Sequence, residues 1–387
     1  MIIFKMKIAI FTNNYLPNIY GVTTSIESFR REFEKRGHQV YIFAPKNKDY
    51  RDENKNVSRY PSVDIDYKIH FPLPIPHSVE IEKKLKDLEI DIIHSQHPNL
   101  LGSVARRWAE KKNVPLVFTW HTIYDQYTHY APLVPQKISS RWVINNSVHY
   151  ANQADAVIIP TNSVKKIIKN WGVENPKIYS VATGVDEDNF QNPNGNLIRE
   201  KLKISKDKKI ILSISRLTEE KNVIFLLKEI GKVLEKNQGW VFVMAGEGYL
   251  MDELKKIAKE MKLEERIYFP GLVEKDDIKN YMDAADVFVY ASKSETQGTI
   301  ITEAMYMGLP IVAIKSLGIG DLIEDGKNGL LADEDENNFS EKTEEILADE
   351  KLRRKIGENA GMTAREKFIS PVCAKKMLEV YESLLKK

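Results

Sequence analysis

The 387-residue chain has a single cysteine, Cys373. One thiol excludes a disulfide framework and a multi-cysteine zinc site, and a buried thiol in a C-terminal helix is the expected role. Long apolar runs are also missing. No stretch approaches the roughly 18 residues of a membrane span. The start, MIIFKMKIAIFTNN, is apolar but short and lacks a small-residue cleavage site. It is predicted to be a first buried strand, with Met6 as an alternative start. Charge of one sign is absent too. There are 57 basic and 55 acidic side chains, a formal net charge of +2. That balance excludes the global bias of a nucleic-acid binder, so attraction to an anionic surface must come from local patches. No short repeat and no low-complexity tract occurs. The G-x-G-x-x-G fingerprint is missing after the first strand and again at Ala245–Met251 (AGEGYLM), which argues against a dinucleotide-dependent dehydrogenase. His121, His129 and His149 do not have a zinc spacing, and no metal site is expected.

What is present is alternation. Lys7–Phe11 is a short apolar run, and Thr23–Arg36 an amphipathic helix with Gly37 at its C-terminal end. Gln39–Ala44, Ile90–His94, Leu116–Thr119 and Ala156–Ile159 are further apolar runs with helical stretches between them. Residues 186–209 are polar and contain Pro193 and Gly195. The pattern then restarts at Lys209–Ser213 and continues through Trp240–Ala245, Ile267–Phe269, Val287–Tyr290 and Ile311–Ala313. Short apolar runs separated by helices imply parallel strands with crossover helices. The expected fold is α/β, with two doubly wound Rossmann-like domains facing a central cleft. The domains are residues 1–185 and 186–370, each with about five or six strands. The pattern is compatible with a return of the last helix, about 371–387, to the first domain, without deciding it. Asp49–Val63 is polar and strand-poor, and is expected to be a mobile loop. Phe71–His77 (FPLPIPH) is expected to be extended because of its three prolines, either buried or facing a ligand or lipid.

Doubly wound domains bind ligands where strands end. Four segments carry candidate chemistry there. In Thr12–Thr24, Gly21 lets backbone approach a bound group, and the helix behind it can meet a phosphate or sugar hydroxyl. A plain strand-to-helix turn explains it equally well. In Ile210–Lys221, Arg216 and Lys221 combine a planar fork with a point charge, a pair suited to a diphosphate. An ordinary solvated face has the same composition. In Ser294–Gly308 (SETQGTIITEAMYMG), Glu295 and Glu303 lie eight residues apart. Gly298 precedes a helix whose first N–H groups, at Thr299, Ile300 and Ile301, can meet a phosphate or sugar oxygen. Glu303 suits two adjacent hydroxyls, as on a ribose, and Glu295 a sugar hydroxyl or positive charge at an anomeric carbon. In Phe118–Tyr130, His121 sits just past a strand end, near Asp125, where it can reach a sugar hydroxyl or a leaving phosphate. A purely structural histidine is the competing explanation.

Together these segments resemble the retaining glycosyltransferases of family 4, which have the GT-B fold. The resemblance spans nearly the whole chain. Its most specific piece is the E-x7-E pair within ETQGTIITEAMYMGLPIVA, and the R-x4-K pair is the second. Thr183–Asp186, Phe269–Val273 and Asp325–Leu331 support it. The resemblance implies that Arg216 and Lys221 bind the diphosphate, Glu303 the ribose, and Glu295 the region of the donor sugar. It further implies that His121 lines the donor pocket, that the Gly21 loop approaches the diphosphate, and that the backbone of Leu272 and Val273 meets the base. The sugar keeps its anomeric configuration, and neither a metal nor a cofactor beyond the nucleotide-sugar donor is implied. No carboxylate here is an obvious nucleophile, so deprotonation of the acceptor by the leaving phosphate on one face is expected.

A narrower resemblance rests on YLPNIYGVTTSI and WHTIYDQYTHY, which are similar to bacterial 1,2-diacylglycerol 3-glucosyltransferases. It implies UDP-glucose as donor, diacylglycerol as acceptor, and a cytoplasmic protein held peripherally at the inner face of the cell membrane. On a helix, Val164, Ile167, Ile168 and Trp171 of Ser163–Trp171 form one face flanked by Lys165, Lys166 and Lys169. A basic amphipathic helix with a Trp suits contact with an anionic membrane. A crossover helix packing its stripe on the core would look the same. Transfer to phosphatidylinositol or a soluble acceptor, a UDP-sugar epimerase, and a non-catalytic binding module are the alternatives. The two motif pairs argue against the last.

Overall fold

The structure, a computed structural model, describes residues 5–18, 21–67, 69–121, 136–335 and 337–386. Two compact units emerge, residues 1–184 with 370–387, and residues 185–369.

The first unit is built on a sheet of seven strands, all parallel. In chain order these are β1 (Lys7–Phe11), β2 (Gln39–Pro45), β3 (Val57–Tyr60), β6 (Ile92–Ser95), β7 (Leu116–Thr119), β8 (Ala156–Ile159) and β9 (Ile178–Ser180). A separate antiparallel hairpin, β4 (Ser62–Tyr67) and β5 (Ile69–Pro74), lies between β3 and β6 in sequence. The spatial order is β3-β2-β1-β6-β7-β8-β9. Strands β6, β7 and β8 are buried along their whole length, which is why they read as unbroken apolar runs. The helices are α1 (Gly21–Lys35), α2 (Val79–Asp87), α3 (Leu101–Lys112), α4 (Gln136–Gln153) and α5 (Asn162–Asn170). Helix α1 buries Ile26, Phe29 and Phe33 at helical spacing.

The C-terminal helix, Ser370–Leu385, packs on α1 and places Cys373, Met377 and Tyr381 in the same core as Ile8 and Phe33. Tyr381 Oη lies 2.6 Å from His94 Nδ1, and Thr119 Oγ1 lies 2.6 Å from His94 Nε2. Burial pushes the His94 imidazole down to about 3, so it is a neutral core residue.

Two sequence expectations change. Residues 49–63 are not strand-free. Val57–Tyr60 forms β3, its Tyr60 fully buried, and Arg59 makes a two-pronged ion pair with Asp52. The strand hid because only alternate residues face inward, so VSRY is half polar. The stripe of α5 is core and not a membrane face. Val164 and Ile168 are fully buried in one core with Trp108, Phe118 and Val157, and the half-buried Trp171 packs its ring, tilted by 38°, 5.9 Å from that of Trp120. Ile168 therefore cannot reach lipid. Lys165, Lys166 and Lys169 are exposed.

The second unit has six parallel strands in the order β12-β11-β10-β13-β14-β15. They are β10 (Lys209–Ile214), β11 (Trp240–Ala245), β12 (Ile267–Tyr268), β13 (Val287–Tyr290), β14 (Ile311–Ile314) and β15 (Leu330–Ala332). The helices are α6 (Gly195–Lys201), α7 (Val223–Lys236), α8 (Met251–Glu260), α9 (Ile278–Ala284), α10 (Thr299–Tyr306), α11 (Leu317–Leu322), α12 (Asn338–Ala348) and α13 (Glu350–Lys367); α7 and α10 bear on the site, and α13 packs on α10. In each unit the strand order reverses beside the first strand, between β1 and β6 and between β10 and β13. A crevice forms at such a switch point because the two flanking loops run to opposite faces of the sheet.

Candidate functional site

In the second unit the switch point gathers most of the expected donor residues. Arg216 and Lys221 follow β10, and Glu295 follows β13. The Lys221 ammonium and the Glu295 carboxylate form a direct ion pair across this point, both side chains nearly buried. Glu295 Oε1 also accepts a hydrogen bond from Tyr290 Oη at 2.7 Å and has Ser292 Oγ at 2.9 Å. Burial works to raise the Glu295 carboxyl, but Lys221 and these donors outweigh it and hold it below the usual range, so it is ionised. Arg216 pairs with the buried Glu220 at 2.9 Å.

Close backbone contact fixes this loop. The glycines of AGEG, after β11, are required by packing. A Cβ on Gly246 would lie 1.8 Å from Ser215 O, and one on Gly248 2.1 Å from Leu217 O. Leu217 N donates to Glu247 O at 2.8 Å. These glycines hold the Arg216 loop against its neighbour, which accounts for two glycines without a dinucleotide fingerprint.

Gly298 adopts φ +79° before α10, a left-handed turn that favours glycine. Thr299 and Ile300, in the first turn, are half-buried, and Ile301, Ala304 and Met305 anchor the helix in the core. Glu303 is half-buried and densely surrounded by protein. Burial pushes its carboxyl from the ordinary 4.5 up to about 7, with Lys275 pulling weakly the other way. Gly318 N donates to Glu295 O at 3.0 Å, and a Cβ at Gly318 would lie 2.5 Å from Thr296 backbone. Beyond β12, Leu272 is 63% exposed, while Val273 packs on the core. Gly246 N bonds to Gly271 O at 2.8 Å, joining this loop to AGEG. The side-chain oxygens of Thr218, Ser294 and Ser316 are buried with no hydrogen-bond partner among the described residues. Buried polar atoms are normally satisfied, so such groups mark places for a ligand or water.

In the first unit the loops after β1, β6 and β7 converge. Asn13 N donates to His97 Nδ1 at 3.1 Å, and the Asn13 side chain bridges Asn99 O and Leu101 N. His121 Nε2 lies 2.6 Å from Gln96 Oε1. An amide oxygen only accepts, so Nε2 carries the proton. Burial, with His97 and His94 adding to it, pushes His121 down to about 3, and burial pushes His97 to about 4. Both are neutral at physiological pH. A Cβ on Gly21 would meet nothing within 4 Å among the described residues, so packing inside the chain does not demand glycine there. Asn14 Oδ1 and Asn18 Nδ2 in the loop before α1, and Thr23 Oγ1 in the first turn of α1, are buried and unpaired among those residues. Asp125, His129 and the Tyr124–Tyr130 aromatics lie outside the described residues.

Sequence reasoning missed Tyr290, Ser292, Glu220, Gln96, His97 and Asn13. Each is a common residue type at a strand end, and only the register that brings neighbouring strand ends together shows its partner. Among the described residues no cluster of three or more His, Cys, Asp or Glu side chains is placed to hold a metal ion.

Two parallel α/β units, each with a polar switch-point site, define the GT-B class. Solved structures share this fold. Anabaena HepE in complex with UDP and glucose superposes with a TM-score of 0.78 at 19% identity, over 98% of this chain and all of that one. Sucrose-phosphate synthase of Thermosynechococcus elongatus gives 0.81 at 19% identity, over 98% and 99%. Residues 19–189 match the model for Glycosyltransferase Family 4, and residues 195–362 that for Glycosyl transferases group 1. Alpha-monoglucosyldiacylglycerol synthase of Streptococcus pneumoniae is 31% identical over 338 residues, 84% of this chain and 75% of the relative. The enzyme of that name from Acholeplasma laidlawii is 28% identical over 352 residues, 86% of each chain. The chain belongs to glycosyltransferase family 4, and it is a hexosyltransferase.

Proposed function

We propose that the protein transfers glucose from UDP-glucose, with retention, to the 3-hydroxyl of 1,2-diacylglycerol, making a membrane glycolipid. The observation that carries the donor half is the Lys221–Glu295 pair across the β10/β13 switch point, with Arg216 beside it and Glu303 on α10. The acceptor half is supported by the two diacylglycerol-lipid synthases among the relatives.

In this scheme Arg216 and Lys221 hold the diphosphate, Lys221 turning from Glu295 toward the phosphate oxygens as it binds. The N–H groups of Gly298, Thr299 and Ile300 meet phosphate or sugar oxygens, whereas that of Ile301, expected to join them, already donates to Gly298 O at 2.9 Å. Glu303 takes the two ribose hydroxyls, and the backbone of Leu272 and Val273 meets the base. Gly21 offers backbone to the diphosphate, and the neutral His121 hydrogen-bonds the donor sugar. The acceptor oxygen bonds to the anomeric carbon on the face from which the diphosphate leaves, and its proton passes to the departing β-phosphate oxygen. The bond to UDP breaks as the new glycosidic bond forms. Glu295 stabilises the positive charge that develops at the anomeric carbon. Two cations and a helix N-terminus offset the charge of UDP, so the scheme needs no metal and no cofactor. Among the described residues no helix is long and apolar enough to cross a membrane, and the proposed location is peripheral, at the cytoplasmic membrane face.

Incubation with UDP-glucose and diacylglycerol in detergent micelles tests this directly. An α-glucosyldiacylglycerol and stoichiometric UDP are expected, unaffected by EDTA. UDP-glucose left intact with diacylglycerol, or a β-linked product, would overturn it.

A further inference from the structure

In the first unit, Asn13 follows β1 and His97 follows β6, so the hydrogen bond from Asn13 N to His97 Nδ1, 3.1 Å long, spans the strand-order reversal. That bond also fixes the chemistry of the ring. A backbone N–H can only donate, so Nδ1 turns its lone pair to Asn13 and the proton of the neutral ring sits on Nε2. Burial keeps the ring neutral at physiological pH. His97 is therefore locked as a hydrogen-bond donor. With no free lone pair it cannot serve as a general base. Nε2 makes no hydrogen bond among the described residues, and the side chain is only half-buried. His94, in β6, has both ring nitrogens paired.

The backbone beneath this donor is held closely. Ser95 Oγ donates to His97 O at 2.7 Å. A Cβ on Gly102, in the first turn of α3, would lie 1.8 Å from the same oxygen, so only glycine fits there. The Asn13 side chain ties Asn99 O and Leu101 N, just beyond His97 in the chain. The side chains linked to this turn are uncharged. They are Ser95, Asn13, Gln96 and the neutral His121, and no carboxylate, lysine or arginine among the described residues acts on either ring. A phosphate is recognised by cations, whereas an uncharged N–H in an uncharged setting suits a hydroxyl oxygen. A neutral polyol has that chemistry. The hexose of a nucleotide sugar and the glycerol of a diacylglycerol both carry it.

We propose that His97 binds substrate, its Nε2–H donating to a hydroxyl oxygen of a neutral polyol at the β1/β6 switch point while the Asn13 backbone holds the tautomer. Because His97 cannot take a proton, the proton of the acceptor is left to the departing phosphate. The inference rests on the proposed reaction only in taking UDP-glucose and diacylglycerol as probes.

Nitrogen NMR of the full chain with labelled histidines is the test, the His97 signals being assigned by their loss in His97→Gln. At neutral pH and without ligand, His97 should show a protonated Nε2 and an unprotonated Nδ1. The Nε2–H signal should then move with UDP-glucose but not UDP, or with diacylglycerol micelles. The first result assigns the hydrogen bond to the hexose, the second to the glycerol. A charged or Nδ1-protonated ring, or an Nε2 signal unmoved by both probes, overturns the inference whether or not the wild type transfers glucose. A moved signal without transfer overturns the acceptor proposal alone. Two variants separate binding from packing. His97→Asn keeps an oxygen near the place of Nδ1 for the Asn13 N–H but falls short of the polyol. His97→Gln brings an amide N–H near the place of Nε2 and leaves the Asn13 N–H unpaired. His97→Asn should be the more thermally stable of the two and the less active. Its kcat/KM should fall about tenfold, the loss of one neutral hydrogen bond, with UDP affinity unchanged. The same order in stability and activity would mark a purely structural histidine and overturn the inference.

Discussion

Glu303 is the residue at which stability and the proposed ribose contact are opposed. Its carboxyl is raised from 4.5 to about 7 by burial. A carboxyl raised in the folded state favours folding while protonated. That contribution is complete below 4.5 and is lost as the pH rises through 7. Glu303→Gln removes the charged form. Without donor it should be more stable than the wild type at pH 8, by about 1–2 kcal/mol after allowing for partial solvent contact. At pH 4 the difference should vanish. Chemical denaturation at the two pH values measures it, and equal differences would show that the carboxyl is not strained. Lys221 and Glu295 show the opposite relation. Each satisfies the other in a nearly closed site, so Lys221→Met strands a buried carboxylate at a cost of about 3 kcal/mol. Adding Glu295→Gln should recover part of the loss, and strictly additive losses would deny the coupling. Motif spacing singled out Arg216, Lys221, Glu295 and Glu303 because each pair follows a strand of one domain and Gly298 opens a helix between the two glutamates. Tyr290 and Ser292 stayed hidden because their role exists only through Glu295.

At the scale of elements, what the sequence showed depended on how each strand is buried. Strands such as Leu116–Thr119 and Ala156–Ile159 are enclosed on both faces and announce themselves as apolar runs. The edge strand Val57–Tyr60 alternates, and alternation alone does not say which face is inside. Helix α5 failed for a related reason, since a lipid-facing stripe and a core-facing stripe have one pattern. The glycines of AGEG were visible, but their purpose was not. Gly248→Ala should destabilise the protein by about 2–4 kcal/mol, because the new methyl meets the Leu217 carbonyl. It should also weaken UDP binding by displacing the Arg216 loop. Denaturant titration checks the first effect, and unchanged stability would show that the loop yields freely.

At the scale of the whole molecule, two parallel sheets with a strand-order reversal in each were legible from the restart of the apolar pattern near residue 209. The return of the C-terminal helix to the first sheet was not, because residues 371–385 carry an apolar face without an address; the address is the surface left open by α1 and the polar pocket of His94. The fold supplies a switch-point site in each unit, and the chemistry is chosen by a few side chains at those sites. The account depends most on the second unit's switch point being the nucleotide site. Calorimetric titration of UDP into the wild type, Glu303→Gln and Arg216→Ala at pH 8 tests that most directly. Saturable one-to-one binding is predicted for the wild type, weakened about tenfold or more in each variant by loss of a charge-assisted hydrogen bond. Equal UDP affinity in all three proteins would contradict it.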